Sequence, residues 1–152
     1  WREIECDSSL YLRSSFSNGS DNLFSLDDLE DVVLLENYVE DLGSLYSKAD
    51  VLVLPSLEDG FGMVVTEAMA CGMPVIVSEN TGAKEIVEDG EIGFIVPIKD
   101  EDAIREKIRY FQENPGEVER MGRNARETAE NYTWDRYAEN IVKEYKRILS
   151  QE

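Results

Sequence analysis

Short apolar runs and helical stripes alternate through the middle of the chain. Residues 51–54, 75–78 and 93–97 have the length and the β-branched content of buried strands. A helical pattern that begins near Met63 follows the first run, and a shorter one over residues 83–88 follows the second. Strands that alternate with helices predict a parallel sheet with right-handed crossovers. The pattern therefore predicts an α/β fold with a Rossmann-like, doubly wound parallel sheet.

The last third of the chain is helical throughout. Asp100 is the predicted N-cap of a first helix, which Pro115 ends. Thr133 is the predicted cap of the last one. The apolar stripes of the three helices are Ile104, Ile108 and Phe111; then Val118, Met121, Ala125 and Ala129; then Trp134, Tyr137, Ile141, Tyr145 and Ile148. The sequence thus predicts a helical C-terminus.

The first part of the chain is less regular. The apolar residues at 10–12 fit either a strand or a helix, and the polar stretch 14–22 is typical of a loop. Residues 32–35 read as a buried strand and 38–48 as a helix. We divide the chain into a poorly defined segment of a truncated domain, residues 1–30, and a Rossmann-like domain with C-terminal helices, residues 31–152.

A glycine turn lies between the first central strand and its helix. Asp59, Gly60, Phe61 and Gly62 form this turn, and two glycines allow a ligand to approach the backbone closely. The N-terminus of the following helix would direct unpaired N–H groups and a positive dipole end at that ligand. Glu67 lies about one turn into the helix, from where its carboxylate reaches back over the turn. The stretch predicts an anion-binding site.

The same residues resemble a known signature. The block DGFGMVVTE, from Asp59 to Glu67, followed by AMACGMPVI, is similar to the donor-binding signature of retaining GT-B-type glycosyltransferases of the group 1 family. The family usually has Glu where this chain has Asp59, which follows Glu58. The resemblance extends from about Val32 to Leu149 and identifies the chain as the C-terminal, donor-binding half of a GT-B fold.

The resemblance implies an activity and partners. The donor would be a nucleotide-sugar such as a UDP-, GDP- or ADP-hexose, bound as a substrate, with no separate cofactor and no metal. A hexosyl group would pass to a saccharide or lipid-linked acceptor, as in polysaccharide biosynthesis. The partner of this half would be the N-terminal acceptor domain of the same full-length protein.

The resemblance also assigns roles to residues. Asp59 would hold hydroxyls of the donor sugar, and Glu67 would take the ribose hydroxyls; these two are the catalytic candidates. Backbone N–H groups from Gly60 to Val64 would bind sugar and phosphate oxygens. The complete donor-binding set is Gly60, Phe61, Gly62, Met63, Val64, Glu67, Thr81 and Gly82, and the residues near the nucleobase are Tyr38, Val39 and Leu42.

Each role has a structural alternative. Asp59 also fits a turn former, and Glu67 fits a carboxylate that complements a helix dipole. Periodic core packing accounts for Val39 and Leu42 individually. The loop at Thr81 is equally explained as an ordinary connection between strand and helix.

Composition narrows the class of partner. A net charge of −18 with no histidine in 152 residues argues against nucleic acid and against direct contact with an anionic membrane. Two cysteines, Cys6 and Cys71, do not make a disulfide framework, and Cys71 is expected to be a buried small hydrophobe. We expect a reducing, cytoplasmic location, with peripheral membrane association of the whole enzyme as an option.

Several features of the family have no match here. The family's first strand is followed by a Gly-Arg turn and a Lys that neutralise the donor pyrophosphate, and residues 1–30 contain neither. Lys84 offers a partial substitute, although a solvated helix charge is the favoured interpretation. The chain begins at Trp1, so we read it as a piece of a longer protein and expect the piece alone to be inactive. A non-catalytic binding or regulatory module of the same fold is the alternative function, and a receiver- or flavodoxin-like domain is a weaker third interpretation.

Overall fold

The computed structural model describes residues 10–13, 32–35 and 41–150. The chain forms two compact units, Trp1–Ala49 and Asp50–Glu152. In the first unit, strands β1 (Leu10–Arg13) and β2 (Val32–Leu35) pair in parallel, with Leu10 opposite Val32. The strand alternative for residues 10–12 is therefore the correct one. Helix α1 (Leu42–Tyr46) follows, and Asp41 caps it by accepting a hydrogen bond from the backbone N–H of Ser44 at 3.0 Å.

The second unit is built on a three-stranded parallel sheet. Its strands are β3 (Leu52–Leu54), β4 (Val75–Ser78) and β5 (Gly93–Val96), in the order β3-β4-β5. All four residues of β4 are buried, as expected for a central parallel strand covered on both faces. Helix α2 (Met63–Ala70) connects β3 to β4, and a 3₁₀ helix (Gly82–Ile86) lies between β4 and β5. The predicted alternation of strands and helices is confirmed.

Three helices complete this unit. They are α3 (Glu101–Glu113), α4 (Pro115–Ala129) and α5 (Trp134–Leu149). Both predicted caps are present: the Asp100 carboxylate accepts from the N–H of Ala103 at 2.9 Å, and the Thr133 hydroxyl accepts from the N–H of Arg136 at 3.3 Å. Side-chain capping satisfies a helix N–H group that has no partner within the helix, so these boundaries are set locally.

The core lies where α3 and α4 contribute to one cluster with β4 and β5. Its buried members are Ile76, Phe94, Val96, Phe111 and Met121. The rings of Phe94 and Phe111 are 5.4 Å apart, within the range of favourable aromatic pairs. The apolar stripes predicted for the first two C-terminal helices are thus confirmed as core-facing.

The C-terminal end of α2 forms a Schellman turn. Gly72 has a φ of +79°, and its N–H donates to the carbonyl of Met69 at 2.9 Å. The N–H of Met73 donates to the carbonyl of Ala68 at 3.0 Å, which completes the motif. Cys71 is the helix C-cap in this turn and is exposed, so its predicted burial was wrong. The reason is that the turn separates Cys71 from the buried strand β4.

An arginine connects α4 to the turn before β5. Arg120 donates to the carbonyl of Gly90 at 2.7 Å and forms ion pairs with Glu91 at 2.6 Å and Glu117 at 2.9 Å. The hydrogen bonds from Arg120 hold the pKa of the Glu117 carboxyl below its usual range. Because Gly90 precedes β5, this cluster fixes the entry of the chain into the sheet.

Helix α5 differs from the others because all of its residues are exposed. Trp134 is 72% exposed and Tyr145 is 65% exposed, so the predicted apolar stripe is present but uncovered. Within the described residues, no helix has the length and apolarity needed to cross a membrane.

Two glycines of α4 give a matched test of the packing. A Cβ at Gly122 would lie 2.1 Å from the carbonyl oxygen of Gly72, whereas a Cβ at Gly116 would meet nothing within 4 Å. We expect Gly122→Ala to lower the free energy of unfolding by about 1–3 kcal/mol, because backbone must move to admit the methyl group. We expect Gly116→Ala to leave it unchanged or to raise it by up to about 1 kcal/mol. Urea unfolding of both variants measures the difference, and equal effects would contradict the close contact of α4 with the α2 turn.

Candidate functional site

A cleft lies at the carboxyl ends of β3 and β4. Its volume is about 580 Å³. Two loops form it, the one that follows β3 and the one that follows β4. The lining residues are Glu58, Asp59, Gly60, Glu79, Asn80, Thr81, Gly82 and Lys84. Ligands of open α/β sheets bind at such strand ends, so this cleft is the candidate site.

The glycine turn leads directly into α2. Gly62 is the N-cap of this helix with a φ of +72°, a conformation that L side chains rarely adopt. As a glycine, it offers no side-chain cap to the first turn of α2. The N–H groups of that turn have no acceptor within the helix itself. Of the N–H groups that the sequence analysis assigned to sugar and phosphate oxygens, that of Phe61 donates to the Asp59 carboxylate.

Asp59 has a structural contact of its own. Its Oδ1 accepts a hydrogen bond from the N–H of Phe61 at 3.1 Å, which closes an Asx turn. The residue also lines the cleft. The turn-forming alternative for Asp59 is thus present in the structure, and contact with a sugar hydroxyl remains a prediction. The shorter side chain of aspartate, compared with glutamate, favours this local contact.

The two loops are joined through their backbones. The N–H of Asp59 donates to the carbonyl of Asn80 at 3.3 Å, and the N–H of Gly82 donates to the carbonyl of Asp59 at 3.1 Å. A Cβ at Gly82 would lie 2.1 Å from the carbonyl oxygen of Gly60. The loop at Thr81 is therefore more than a connection, because it supports the glycine turn from one side.

Buried hydroxyls reinforce this junction. Ser78, at the end of β4, donates to the carbonyl of Ser56 at 2.5 Å, and its Oγ lies 3.2 Å from the Oγ1 of Thr81. Ser78 and Thr81 are each 1% exposed. The exposed Asn80 adds a third connection, donating from Nδ2 to the carbonyl of Leu57 at 3.2 Å. Sequence reasoning did not identify Ser78 or Asn80, because the loops that they join are distant along the chain.

The structure brings together only part of the predicted set. Asp59, Gly60, Thr81 and Gly82 line one cleft. The predicted residues that follow Gly60 in the turn and in α2 are not among its lining residues; they are Phe61, Gly62, Met63, Val64 and Glu67.

Glu67 is not among the lining residues of the cleft, and the nucleobase candidates are only partly described. Glu67 lies on α2 about one turn after the helix begins, as predicted, and it is half-buried. Tyr38 and Val39 fall outside the residues that the structure describes. Leu42 begins α1 in the other compact unit. The proposed contacts of these residues remain predictions.

The cleft is acidic. Glu58, Asp59 and Glu79 contribute carboxylates to its lining, against the single ammonium group of Lys84. The Oε1 of Glu79 accepts a hydrogen bond from the N–H of Ile98 at 3.3 Å. Lys84 was interpreted from the sequence as a solvated charge, and it is exposed, yet it lies on the wall of the cleft. Among the described side chains, no group of three or more His, Cys, Asp or Glu could hold a metal ion.

The model of the family described as "Glycosyl transferases group 1" matches residues 22–128. The chain belongs to this glycosyltransferase family. It is 35% identical to the D-inositol 3-phosphate glycosyltransferase of Streptomyces bingchenggensis, over 73% of this chain and 26% of that protein. It is 42% identical to the capsular polysaccharide biosynthesis glycosyltransferase CapM of Staphylococcus aureus, over 74% of this chain and 29% of that protein.

A solved structure with a bound nucleotide-sugar shares the fold. The structure of Anabaena HepE in complex with UDP-glucose superposes with a TM-score of 0.66 and 27% identity, covering 80% of this chain and 33% of HepE. The predicted fold class, half of a GT-B fold with a Rossmann-like sheet, is thereby confirmed. The chain spans between a quarter and a third of the length of these three proteins.

The two glycines of the turn have different surroundings. Substituting each of them distinguishes a glycine that the fold requires from one that only lines the cleft. A Cβ at Gly62 would lie 2.9 Å from Cδ2 of Leu54 and 3.1 Å from Cγ2 of Thr81, at a positive φ. A Cβ at Gly60 would meet nothing within 4 Å. We expect Gly62→Ala to lower the free energy of unfolding by about 1–3 kcal/mol and Gly60→Ala to change it by less than about 0.5 kcal/mol. Thermal and urea unfolding of the two variants measure this contrast; a Gly62→Ala protein of wild-type stability would contradict the positive φ.

Proposed function

We propose that this chain is the donor-binding part of a retaining glycosyltransferase, which moves a hexosyl group from a nucleotide-sugar to a saccharide or lipid-linked acceptor. Family membership supports sugar transfer. The observation that carries the proposal is the cleft at the ends of β3 and β4, where Asp59 and Gly60 meet the loop of Thr81 and Gly82. This is the position at which open α/β sheets bind nucleotides.

In this proposal the sugar lies in the cleft. Asp59 holds sugar hydroxyls with its carboxylate, while the N–H groups from Gly60 to Val64 bind sugar and phosphate oxygens. Thr81 and Gly82 border the sugar from the second loop. Glu67 binds the ribose, and the region of Tyr38, Val39 and Leu42 lies near the base. The donor domain would then comprise residues 31–152.

The similar proteins suggest which donor to test first, and they suggest that a different part of the protein selects the acceptor. HepE was solved with UDP-glucose, so a UDP-hexose is the first donor to test. The names of the two glycosyltransferase relatives differ: one refers to D-inositol 3-phosphate and the other to capsular polysaccharide biosynthesis. Similarity to both is expected if this part of the protein binds the donor and another part chooses the acceptor.

The charges that line the cleft do not neutralise a diphosphate. A nucleoside diphosphate carries two negative phosphates toward three carboxylates and one lysine. The N-terminus of α2 contributes at most about 2 kcal/mol to anion binding. We propose that cationic side chains in the rest of the protein neutralise the diphosphate. They would stabilise it electrostatically as a leaving group, without an obligatory metal.

The partner domain would cover α5. Its apolar face includes Trp134, Tyr137, Ile141 and Tyr145, each exposed. An apolar patch of this kind along one helix is typical of an interface. We propose that the N-terminal acceptor domain, the partner that the sequence resemblance implies, packs on this face. A cytoplasmic location remains part of the proposal.

One observation favours the alternative of a non-catalytic module of the same fold. The Asp59 carboxylate, where the family usually has glutamate, already accepts a hydrogen bond from the N–H of Phe61. A binding module would keep this turn for folding and would not transfer sugar. The two functions are distinguished by calorimetric titration of the complete protein with UDP-, GDP- and ADP-glucose, followed by assay of donor turnover. Binding with no turnover in the presence of any saccharide or lipid-linked acceptor favours the module.

Glu67 gives the sharpest test of the donor site. A carboxylate that accepts hydrogen bonds from a ribose diol should contribute about 2–3 kcal/mol to binding. We expect Glu67→Gln in the complete protein to weaken binding of the preferred nucleotide-sugar more than tenfold, with the melting temperature nearly unchanged. Isothermal titration calorimetry and differential scanning calorimetry measure the two quantities.

The control for Glu67 is a second acid near a helix N-terminus. Glu101 is exposed in the first turn of α3, so Glu101→Gln changes a helix-dipole interaction without touching the cleft. The dipole alternative predicts that both variants lose at most about 1 kcal/mol of stability and that neither changes affinity. Unaltered donor affinity in Glu67→Gln would remove Glu67 from the site.

We expect this chain, assayed alone, to transfer no sugar and to bind nucleotide-sugars only in about the millimolar range. Each missing charge-assisted contact to phosphate would cost about 1.5–3 kcal/mol. NMR titration with UDP-glucose measures the affinity, and release of UDP in the presence of oligosaccharides measures turnover. Saturable turnover by the chain alone would show that the acceptor domain is not required.

A further inference from the structure

We propose that the hydroxyls of Ser78 and Thr81 form a hydrogen-bonded chain that positions the sugar-binding loop, so that Ser78 is a positioning residue for the transfer reaction. This inference rests on the function proposed above for the cleft. The chain runs from Thr81 through Ser78 to the carbonyl of Ser56, and it joins the loop after β4 to the loop after β3.

Counting the available hydrogens shows which hydroxyl donates in each contact. A serine hydroxyl has one hydrogen to donate and two lone pairs to accept. Ser78 gives its hydrogen to the Ser56 carbonyl at 2.5 Å, so the 3.2 Å contact with Thr81 requires the Thr81 hydroxyl to donate. The Thr81 hydroxyl is thereby directed at Ser78 and not at a ligand. Thr81, assigned from the sequence to donor binding, acts in this scheme through Ser78.

Burial makes the hydroxyl chain a rigid support. Both side chains are 1% exposed, so the hydrogen bond between the two hydroxyls is shielded from water, and the bond to the Ser56 carbonyl is part-buried. Among the described residues that are not exposed, no buried side-chain nitrogen or oxygen lacks a hydrogen-bond partner. Removing the Ser78 hydroxyl would leave two groups without their partner, the Ser56 carbonyl and the Thr81 hydroxyl. Removing the Thr81 hydroxyl would leave the bond between Ser78 and Ser56 intact.

The hydroxyl chain holds Thr81, which in turn contacts the parts of the two loops that face the cleft. Asp59 forms a parallel bridge with Thr81, and the N–H of Gly82 donates to the carbonyl of Asp59. Cγ2 of Thr81 lies where a Cβ on Gly62 would meet it at 3.1 Å. A shift of Thr81 would therefore move Asp59 and the glycine turn together. Displacement of about 1 Å in a positioned group is enough to reduce a reaction rate by about a hundredfold.

The test uses the complete protein and two ligands, UDP-glucose and UDP, with the GDP and ADP pairs measured in parallel. The hydroxyl chain supports the loop that is proposed to border the sugar. We therefore expect Ser78→Ala to weaken UDP-glucose binding at least fivefold and UDP binding less than twofold. The effect on UDP-glucose should decrease in the order Ser78→Ala, Thr81→Val, Thr81→Ser. Thr81→Ser keeps the hydroxyl and should restore near wild-type affinity.

Two further measurements separate positioning from stability. The double variant Ser78→Ala/Thr81→Val should bind UDP-glucose no more weakly than Ser78→Ala, because the loss of the Ser78 hydroxyl already removes both hydrogen bonds. Thr128→Val, the same change on α4 and away from the cleft, should leave the ratio of the two affinities unchanged. Equal weakening of UDP and UDP-glucose, or additive effects in the double variant, would overturn the inference.

Amide hydrogen exchange without any ligand tests the positioning separately from the proposed function. We expect Ser78→Ala to accelerate exchange at the N–H groups of Asp59, Phe61 and Gly82 at least tenfold, with exchange in β5 unchanged. Unchanged exchange at these amides would overturn the inference even if the protein binds UDP-glucose. Failure of the wild-type protein to bind any of the three nucleotide-sugars, with the exchange result as expected, would instead contradict the proposed function.

Discussion

Close approach of glycine backbones is the constraint on which this fold depends. At Gly82 the backbone lies against the carbonyl of Gly60, at Gly93 against that of Val75, and at Gly122 against that of Gly72, each too close to admit a Cβ. The first contact joins the two loops of the cleft, the second pairs β5 with β4, and the third packs α4 on the turn after α2. At each of these three contacts the spacing is set by main chain, and a side chain on the glycine would push the two segments apart.

This constraint explains how the cleft obtains its shape. The loops after β3 and β4 share backbone hydrogen bonds and a buried chain of hydroxyls, so the cleft wall is part of the hydrogen-bonded core. Its polar lining faces solvent while its support is dry. A site built this way is organised before a ligand arrives, which lowers the entropic cost of binding.

Local signals in the sequence predicted most of the second unit. Asp100 and Thr133 were recognised as caps because a cap depends on residues within one turn. The same reasoning failed for Cys71, whose exposure is set by the Schellman turn at Gly72. It also missed Ser78, whose partner Ser56 is 22 residues away in the chain. Non-local contacts of this kind leave no periodic pattern. The family resemblance assigned residues of both loops to donor binding, and nothing in the sequence indicated the hydrogen bonds that join the two loops.

The exposed face of α5 has a consequence for handling the isolated chain. Aromatic side chains on that helix attract one another between molecules, and the net charge of −18 opposes this attraction by repulsion between molecules. Salt shortens the range of the repulsion to about 10 Å at 0.1 M and leaves the apolar attraction in place. The isolated chain is therefore expected to stay dispersed in dilute buffer and to self-associate when salt is added. This salt dependence is the opposite of that of an assembly stabilised by ion pairs, which salt weakens.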